Sequence, residues 1–469
     1  MNGYLWLLLA GGISFVWLGI NKRLVGGFFS PFNLLLPFWV LPVLMCLLGL
    51  SSREPAWSPA ALAMVIYYTV MLALVSLGIP LLFPERRDAT VVGHFLRFTA
   101  VVRSRPFTIC LLGVFAFALA AAFYNEILSN PDGVALLKFT ADPSASRDAS
   151  WHTKGEGRLW LLSVPVATLG PLVYLRMLLA RRLSTKCVLF LLTACYPLIA
   201  LFKMSRADLF TFCFSCVLVH YWWRRENLML LARKRLTVAT TSPGQRVLLV
   251  GVLATVILIS GTIFQRIRSD TGSEGVTKFA DLTAIQVNLP PPADALVSEM
   301  YMYFAIPFHN FARFVELYPL QASPGVGLIR PLYSAALHGD DAKLRLEEID
   351  LDSYLRMLVN TWPIITWNYA EFGYVEVLVA PVIYAAVASG IYVRLRSRPG
   401  IIPLVLYCVV IAYQWVWMFS NNNFTGVQFF LYSLFILPFL FLYFLVRRVL
   451  FGKSVHARRG SIPALEPLL

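Results

Sequence analysis

Gln265-Arg266-Ile267-Arg268-Ser269-Asp270 leaves one apolar segment, and Asn360-Thr361-Trp362 … Tyr369-Ala370-Glu371-Phe372-Gly373 leads into another. Residues 265–373, between these segments, break an otherwise continuous succession of hydrophobic stretches. They also carry Arg313, Arg330, Arg345 and Arg356. Two packed helices can be joined by about two to eight residues. A polar insertion far longer than that reads as the roof of an active site, held over lipid by a helical scaffold.

The rest of the chain supplies that scaffold. Hydrophobic residues make up 58% and charged residues only 14%, against about 25% charged in soluble domains. Mean hydropathy is +0.69. The composition is that of a polytopic membrane protein. A membrane-crossing helix needs about 20 apolar residues. Eleven segments qualify: 3–20, 31–50, 60–83, 105–125, 159–178, 186–202, 206–223, 246–264, 374–393, 400–419 and 425–446. The first has no basic residue before it and reads as an uncleaved span. The expected fold is all-α: a bundle of about eleven transmembrane helices. It divides into residues 1–264 (spans one to eight, with an outer loop at 126–158), the large extracytoplasmic loop 265–373, and residues 374–469 (spans nine to eleven and a tail).

Loop charges set the orientation. Alternate loops, including Arg86/Arg87, Arg181/Arg182, Arg224/Arg225, Arg394/Arg396/Arg398 and Arg447/Arg448, collect 25 of the 40 basic residues and four of the 25 acidic ones. The opposite loops are net negative. Basic loops stay in the cytoplasm, so the N-terminus is expected outside (periplasmic) and the C-terminus cytoplasmic. The net charge of +15 is then a cytoplasmic lipid anchor, and no nucleic-acid partner is needed to explain it.

On the outer side, Arg147 lies in the 126–158 loop. The tight connection Lys203-Met204-Ser205-Arg206-Ala207-Asp208 joins two spans, and Gln265–Asp270 emerges at the same level. A guanidinium at membrane depth needs a partner. Its planar fork suits phosphate oxygens and keeps its charge. For Arg206 the alternatives are a salt bridge to Asp208, snorkelling, or a phosphate clamp. Arg266 and Arg268 read as a stop-anchor or as diphosphate contacts, and Arg330 as a weaker relative of these. Leu296–Tyr318 reads as an aromatic helix at the interface, bent at Pro307. On it, His309-Asn310 is a structural pair or a base. Asn360, Thr361, Tyr369 and Gly373 read as a helix start, or as substrate contacts beside Glu371, which could take a proton from a hydroxyl.

Several chemistries are excluded. The chain has no GxxxxGK[ST] and no GxGxxG. Its six histidines have no metal spacing, so neither metal nor cofactor is expected. All seven cysteines lie in apolar segments, and Cys213-Phe214-Ser215-Cys216 stands alone mid-span, which fits core packing rather than zinc. With no nucleotide-binding domain, a sugar donor would have to be carried by the membrane.

An outer loop with an arginine, a Ser205-Arg206-Ala207-Asp208-Leu209-Phe210 turn, a large outer loop and the Asn360-Thr361 … Tyr369-Ala370-Glu371-Phe372-Gly373 run before a late span resemble the Wzy-type oligosaccharide repeat-unit polymerases of bacterial inner membranes. The resemblance implies a glycosyltransferase acting on undecaprenyl-diphosphate-linked oligosaccharides at the outer face of that membrane. A chain-length regulator and a flippase are the implied partners, besides the bilayer. It implies that Arg206 and Arg268 act at the donor diphosphate, with Glu371 or His309 as base. Arg147, Arg266, Arg330, Asn360, Thr361 and Tyr369 would bind substrate. The family more often has Asp at the position of Glu371, and Glu376 stands where a glycine usually follows. An O-antigen ligase and a lipid-linked oligosaccharide transporter are the rival readings.

Overall fold

The computed structural model describes residues 27–46, 57–83, 89–124, 164–202, 206–233, 304–317, 363–418 and 432–455, with a few isolated positions besides. Among these residues the secondary structure is entirely helical. The elements are α1 (Pro31–Leu35), a π turn (Leu36–Val40), α2 (Leu41–Cys46), α3 (Pro59–Leu82), α4 (Ala89–Arg103), α5 (Arg105–Phe123), α6 (Val164–Leu178), α7 (Leu183–Phe202) and α8 (Arg206–Arg233). They continue with α9 (Ile306–Leu317), α10 (Ile364–Phe372), α11 (Tyr374–Ser397), α12 (Ile401–Cys408), a second π turn (Val409–Gln414), a 3-10 turn (Trp415–Trp417) and α13 (Ile436–Val455).

Five stretches among the described residues are long and apolar enough to cross a membrane: Pro59–Leu82, Arg105–Phe123, Leu183–Ala200, Tyr374–Ser397 and Tyr432–Val449. Pro31–Cys46, Pro165–Leu178 and Ile401–Gln414 are shorter apolar helices. The expected span 246–264 lies outside the described residues, as does most of 3–20.

Local chemistry explains the starts. Ser30, Ser58 and Ser104 cap α1, α3 and α5, each side-chain oxygen accepting a backbone N–H three residues on. Proline follows in the first turn of all three, where its missing N–H leaves no bond unmade. Two connections expected in the cytoplasm are tight turns. Arg181 and Arg182 are exposed between α6 and α7, and Arg398 is exposed between α11 and α12.

The structure departs from the sequence reading in several elements. Residues 89–103, expected as loop, are helical; Phe95 and Phe98 of α4 meet Trp222 edge-on at 5.6 and 5.7 Å. Of the expected spans 31–50 and 400–419, the described residues form helices that each contain a π turn, the second passing into a 3-10 turn at Trp415. The expected span 206–223 runs on to Arg233. Of the helix expected at 296–318, the described part α9 is buried: Phe308, His309, Asn310, Phe311 and Ala312 are nearly inaccessible, and its polar edge is the exposed Arg313–Glu316 pair. Pro307 lies in the first turn of α9, just after a turn at Ala305 that separates it from helical Tyr301 and Phe304.

The chain forms two compact units. One comprises Arg86–Gly275, Leu395–Val409 and Leu431–Leu469. Its hub is α6, which packs against α5, α7, α8 and α12; Val166, Leu169, Leu172, Val173 and Leu175 are fully buried. In lipid, apolar burial itself favours no helix pair, so close packing decides. Gly170 allows it: a Cβ there would overlap the Phe212 ring of α8.

The other unit comprises Met1–Glu85, Val276–Arg394 and Val410–Phe430. Here α9 packs against α2, α3 and α10, and the 3-10 turn packs against α1 and its π turn. Trp39 is fully buried, stacked at 5.2 Å on Tyr68 and edge-on at 5.1 Å to Phe308. Its indole N–H donates to Thr69 Oγ1 at 2.9 Å.

Candidate functional site

The richest polar constellation among the described residues lies in the second unit, where α10 meets α11. Gly373 separates the two helices. It adopts φ 61°, ψ −138°, a region open essentially to glycine, and its N–H donates to Tyr369 O at 2.9 Å. The reversal brings Asn368 of α10 beside Glu376, in the first turn of α11. Asn368 Nδ2 donates to Glu376 Oε1 at 2.7 Å and to Tyr384 Oη at 3.0 Å. Tyr68 Oη of α3 donates to Asn368 Oδ1 at 2.9 Å. Asn368 is 1% and Glu376 9% exposed, so a carboxylate sits in a hydrogen-bonded interior at the entry to an apolar helix. Such groups are costly and mark function more often than they serve packing.

Beside this network, Tyr369 is buried, with Phe311, Phe314 and Tyr374 edge-on at 6.3, 6.1 and 5.6 Å. Its ring seats α10 against α9.

On α9, both ring nitrogens of His309 are engaged. Trp57 Nε1 donates to Nδ1 at 3.1 Å, and Tyr301 Oη lies 3.2 Å from Nε2. An indole N–H can only donate. Nδ1 must therefore be unprotonated, and the ring's one proton sits on Nε2, facing Tyr301. Burial pushes the imidazole pKa down to about 4. The arrangement suits a neutral histidine that ties Trp57 and Tyr301 together. A base role would require Trp57 to release Nδ1.

Of the other expected residues, Arg206 is the first residue of α8 and Glu371 lies on α10, one residue before its end; neither side chain is among those described. Arg147, Arg266, Arg268, Arg330, Asn360 and Thr361 lie outside the described residues. The structure thus brings together Tyr369, Asn368, Glu376, Tyr68 and Tyr384, and separately Trp57, His309 and Tyr301. The network of Asn368, Glu376, Tyr68 and Tyr384 is absent from the sequence reading. Its one visible signal is Glu376, a lone carboxylate in an apolar run. Trp57 gave no signal beyond being an aromatic next to a helix cap. Among the described residues no group of His, Cys, Asp or Glu could hold a metal ion.

No protein family, curated protein or solved structure matches the chain.

Proposed function

We propose that the protein is a polymerase that joins undecaprenyl-diphosphate-linked oligosaccharide repeat units into a surface polysaccharide at the outer face of the bacterial inner membrane. The observation that carries this reading is the position of Arg206. It opens a 28-residue helix whose other end bears Arg224, Arg225 and Arg233. At 1.5 Å per residue the helix is about 42 Å long, which by length alone matches the thickness of a bilayer, although its composition keeps it out of the five apolar stretches given above. With the basic end in the cytoplasm, Arg206 stands at the outer face. There it sits on the positive end of the helix dipole, where a cation is disfavoured by about 0.3–1 kcal/mol and an anion is favoured. A phosphate beside Arg206 would satisfy both the side chain and the helix end.

In the reaction, an acceptor sugar hydroxyl attacks the anomeric carbon of the donor chain. The carbon–oxygen bond to the diphosphate breaks, and the electron pair leaves with undecaprenyl diphosphate. The hydroxyl proton passes to a base, for which Glu371 is chosen because His309 has both nitrogens engaged. Arg206 and Arg268 neutralise the departing diphosphate in place of a metal. Arg147, Arg266, Arg330, Asn360 and Thr361 hold the two lipid-linked chains, and Tyr369 seats the helix that carries Glu371.

In a deletion strain complemented with Arg206→Ala or Arg268→Ala protein at normal levels, surface glycan should collapse to single repeats. Full-length polymer from either variant overturns the diphosphate role.

One observation favours a second reading, a lipid-linked oligosaccharide transporter: a buried carboxylate at the entry to a span. Ionisable groups so placed are common on substrate and ion pathways. Lipid-linked sugar crossing proteoliposome membranes without new glycosidic bonds would support it.

A further inference from the structure

The apolar helix α12 does not end cleanly. It widens into the π turn Val409–Gln414 and tightens into the 3-10 turn Trp415–Trp417. At the junction Gln414 takes φ −123°, ψ −64°. Such a change of helix type inside a helix is common at functional sites. Gln414 is 2% exposed, and its Oε1 has no hydrogen-bond partner. The adjacent Trp415 cannot supply one, because its indole N–H is spent on Pro31 O at 3.0 Å.

Two further oxygens share this condition on elements tied to the same break. Ile364 N donates to Met418 O at 2.8 Å, and two residues along α10 the buried Thr366 hydroxyl is unpartnered. Pro31 O holds Trp415, and two residues along α1 the buried Asn33 Oδ1 is unpartnered, its Nδ2 being used on Gly27 O and Phe28 O. Buried polar atoms left without partners are rare and costly. Gln414 Oε1 and Asn33 Oδ1 can only accept a hydrogen bond, so what satisfies them must donate; the Thr366 hydroxyl can do either. At neutral pH a diphosphate ester has no donor to offer, whereas a saccharide has many.

We propose that Gln414, with Thr366 and Asn33, forms a hydroxyl-binding site that reads the saccharide part of a lipid-linked substrate. These residues are other than the arginines assigned to the diphosphate. Gln414 lies about 20 Å along its helix from Ile401, which places it in the outer half of a hydrocarbon core about 30 Å thick in the proposed orientation. The identity of the sugar carrier rests on the polymerase reading; the need for a donor does not.

The test uses detergent-purified full-length protein and two probes: undecaprenyl diphosphate alone, and the single-repeat lipid extracted from a deletion strain. Gln414→Met keeps the volume and removes the amide. The variant should melt at or above the wild-type temperature without ligand and bind undecaprenyl diphosphate as wild type does. It should bind the single-repeat lipid about tenfold more weakly, the size of one hydrogen bond. Thr366→Val should shift binding in the same direction and serves if Gln414→Met fails to express. A lower melting temperature without ligand would mean that Gln414 holds a structural water, and the proposal falls. It falls too if sodium ions raise the melting temperature of wild type but not of Gln414→Met, which would make this a cation site. If wild type binds both lipids and Gln414→Met binds them equally well, only the Gln414 assignment fails. If wild type binds neither lipid, the polymerase reading fails and takes this site with it.

Discussion

The two units bury polar side chains in different ways. In the unit centred on α6, hydroxyls mostly bond within their own helix: Thr193 to Leu189 O, Ser215 to Thr211 O and Thr108 to Ser104 O. Links between helices among the described residues include Thr168 Oγ1 to Tyr432 O at 3.1 Å and Arg176 Nε to Thr108 Oγ1 at 2.9 Å. In the unit that holds α9 and α10, polar groups bond across long sequence separations and in connected sets. Tyr68, Asn368, Glu376 and Tyr384 form one set; Trp57, His309 and Tyr301 form another. A single link can be lost with little consequence, because each end keeps or finds another partner. A connected set in a dry interior fails as a whole, because deleting one member strands the rest. The first pattern suits a packing scaffold. The second fixes side chains to a tolerance that packing alone does not require.

The largest effect that tests this contrast is at Asn368. Asn368→Leu removes three hydrogen bonds and takes the amide away from the buried Glu376 carboxylate and two tyrosine hydroxyls. The expected loss is about 3–5 kcal/mol, read as a drop in melting temperature in detergent. Its counterpart in the other unit, Thr168→Val, should cost only about 0.5–1.5 kcal/mol. Equal losses would erase the distinction.

A smaller effect is expected at His309. Its folded pKa of about 4 lies below the unfolded value of about 6.5. Between these values the unfolded chain binds the extra proton, so stability is full above pH about 6.5 and falls as the pH drops towards 4. The whole descent amounts to about 3 kcal/mol. Melting followed from pH 7.5 to 4.5 should show this slope in wild type and lose it in His309→Gln. An unchanged slope in the variant would show that the Trp57–His309–Tyr301 set does not hold a neutral ring.

The sequence exposes the scaffold far better than the site. Serine with a proline one or two residues on marks helix starts at Ser30, Ser58 and Ser104, because capping and the missing proline N–H are local physics. The turns at Arg181/Arg182 and at Arg398 announce themselves through charge. Helix α4 is hidden because Arg97, His94 and Arg103 make it read as loop, although Phe95, Phe98 and Val102 recur at helical spacing. The π turns at Leu36–Val40 and Val409–Gln414 consist of ordinary apolar residues, and nothing local separates them from plain helix. The polar network is illegible for another reason. Tyr68 and Asn368 are 300 positions apart, and Trp57 and His309 are 252 apart. No periodicity reports such pairings. Glu376 shows as a carboxylate in an apolar run and as a departure from a glycine pattern, neither of which reveals the buried bond to Asn368. Arg206 keeps its expected place at the end of a helix.

The account stands on which face of the membrane carries Arg206 and residues 265–373. In a cysteine-free background, Ser273→Cys in that long segment and Arg182→Cys in the α6–α7 turn are exposed to a membrane-impermeant maleimide in intact spheroplasts and again after lysis. The expected result is that Ser273→Cys labels in intact cells and Arg182→Cys only after lysis. The reverse would put the arginines in the cytosol and contradict polymerisation at the outer face.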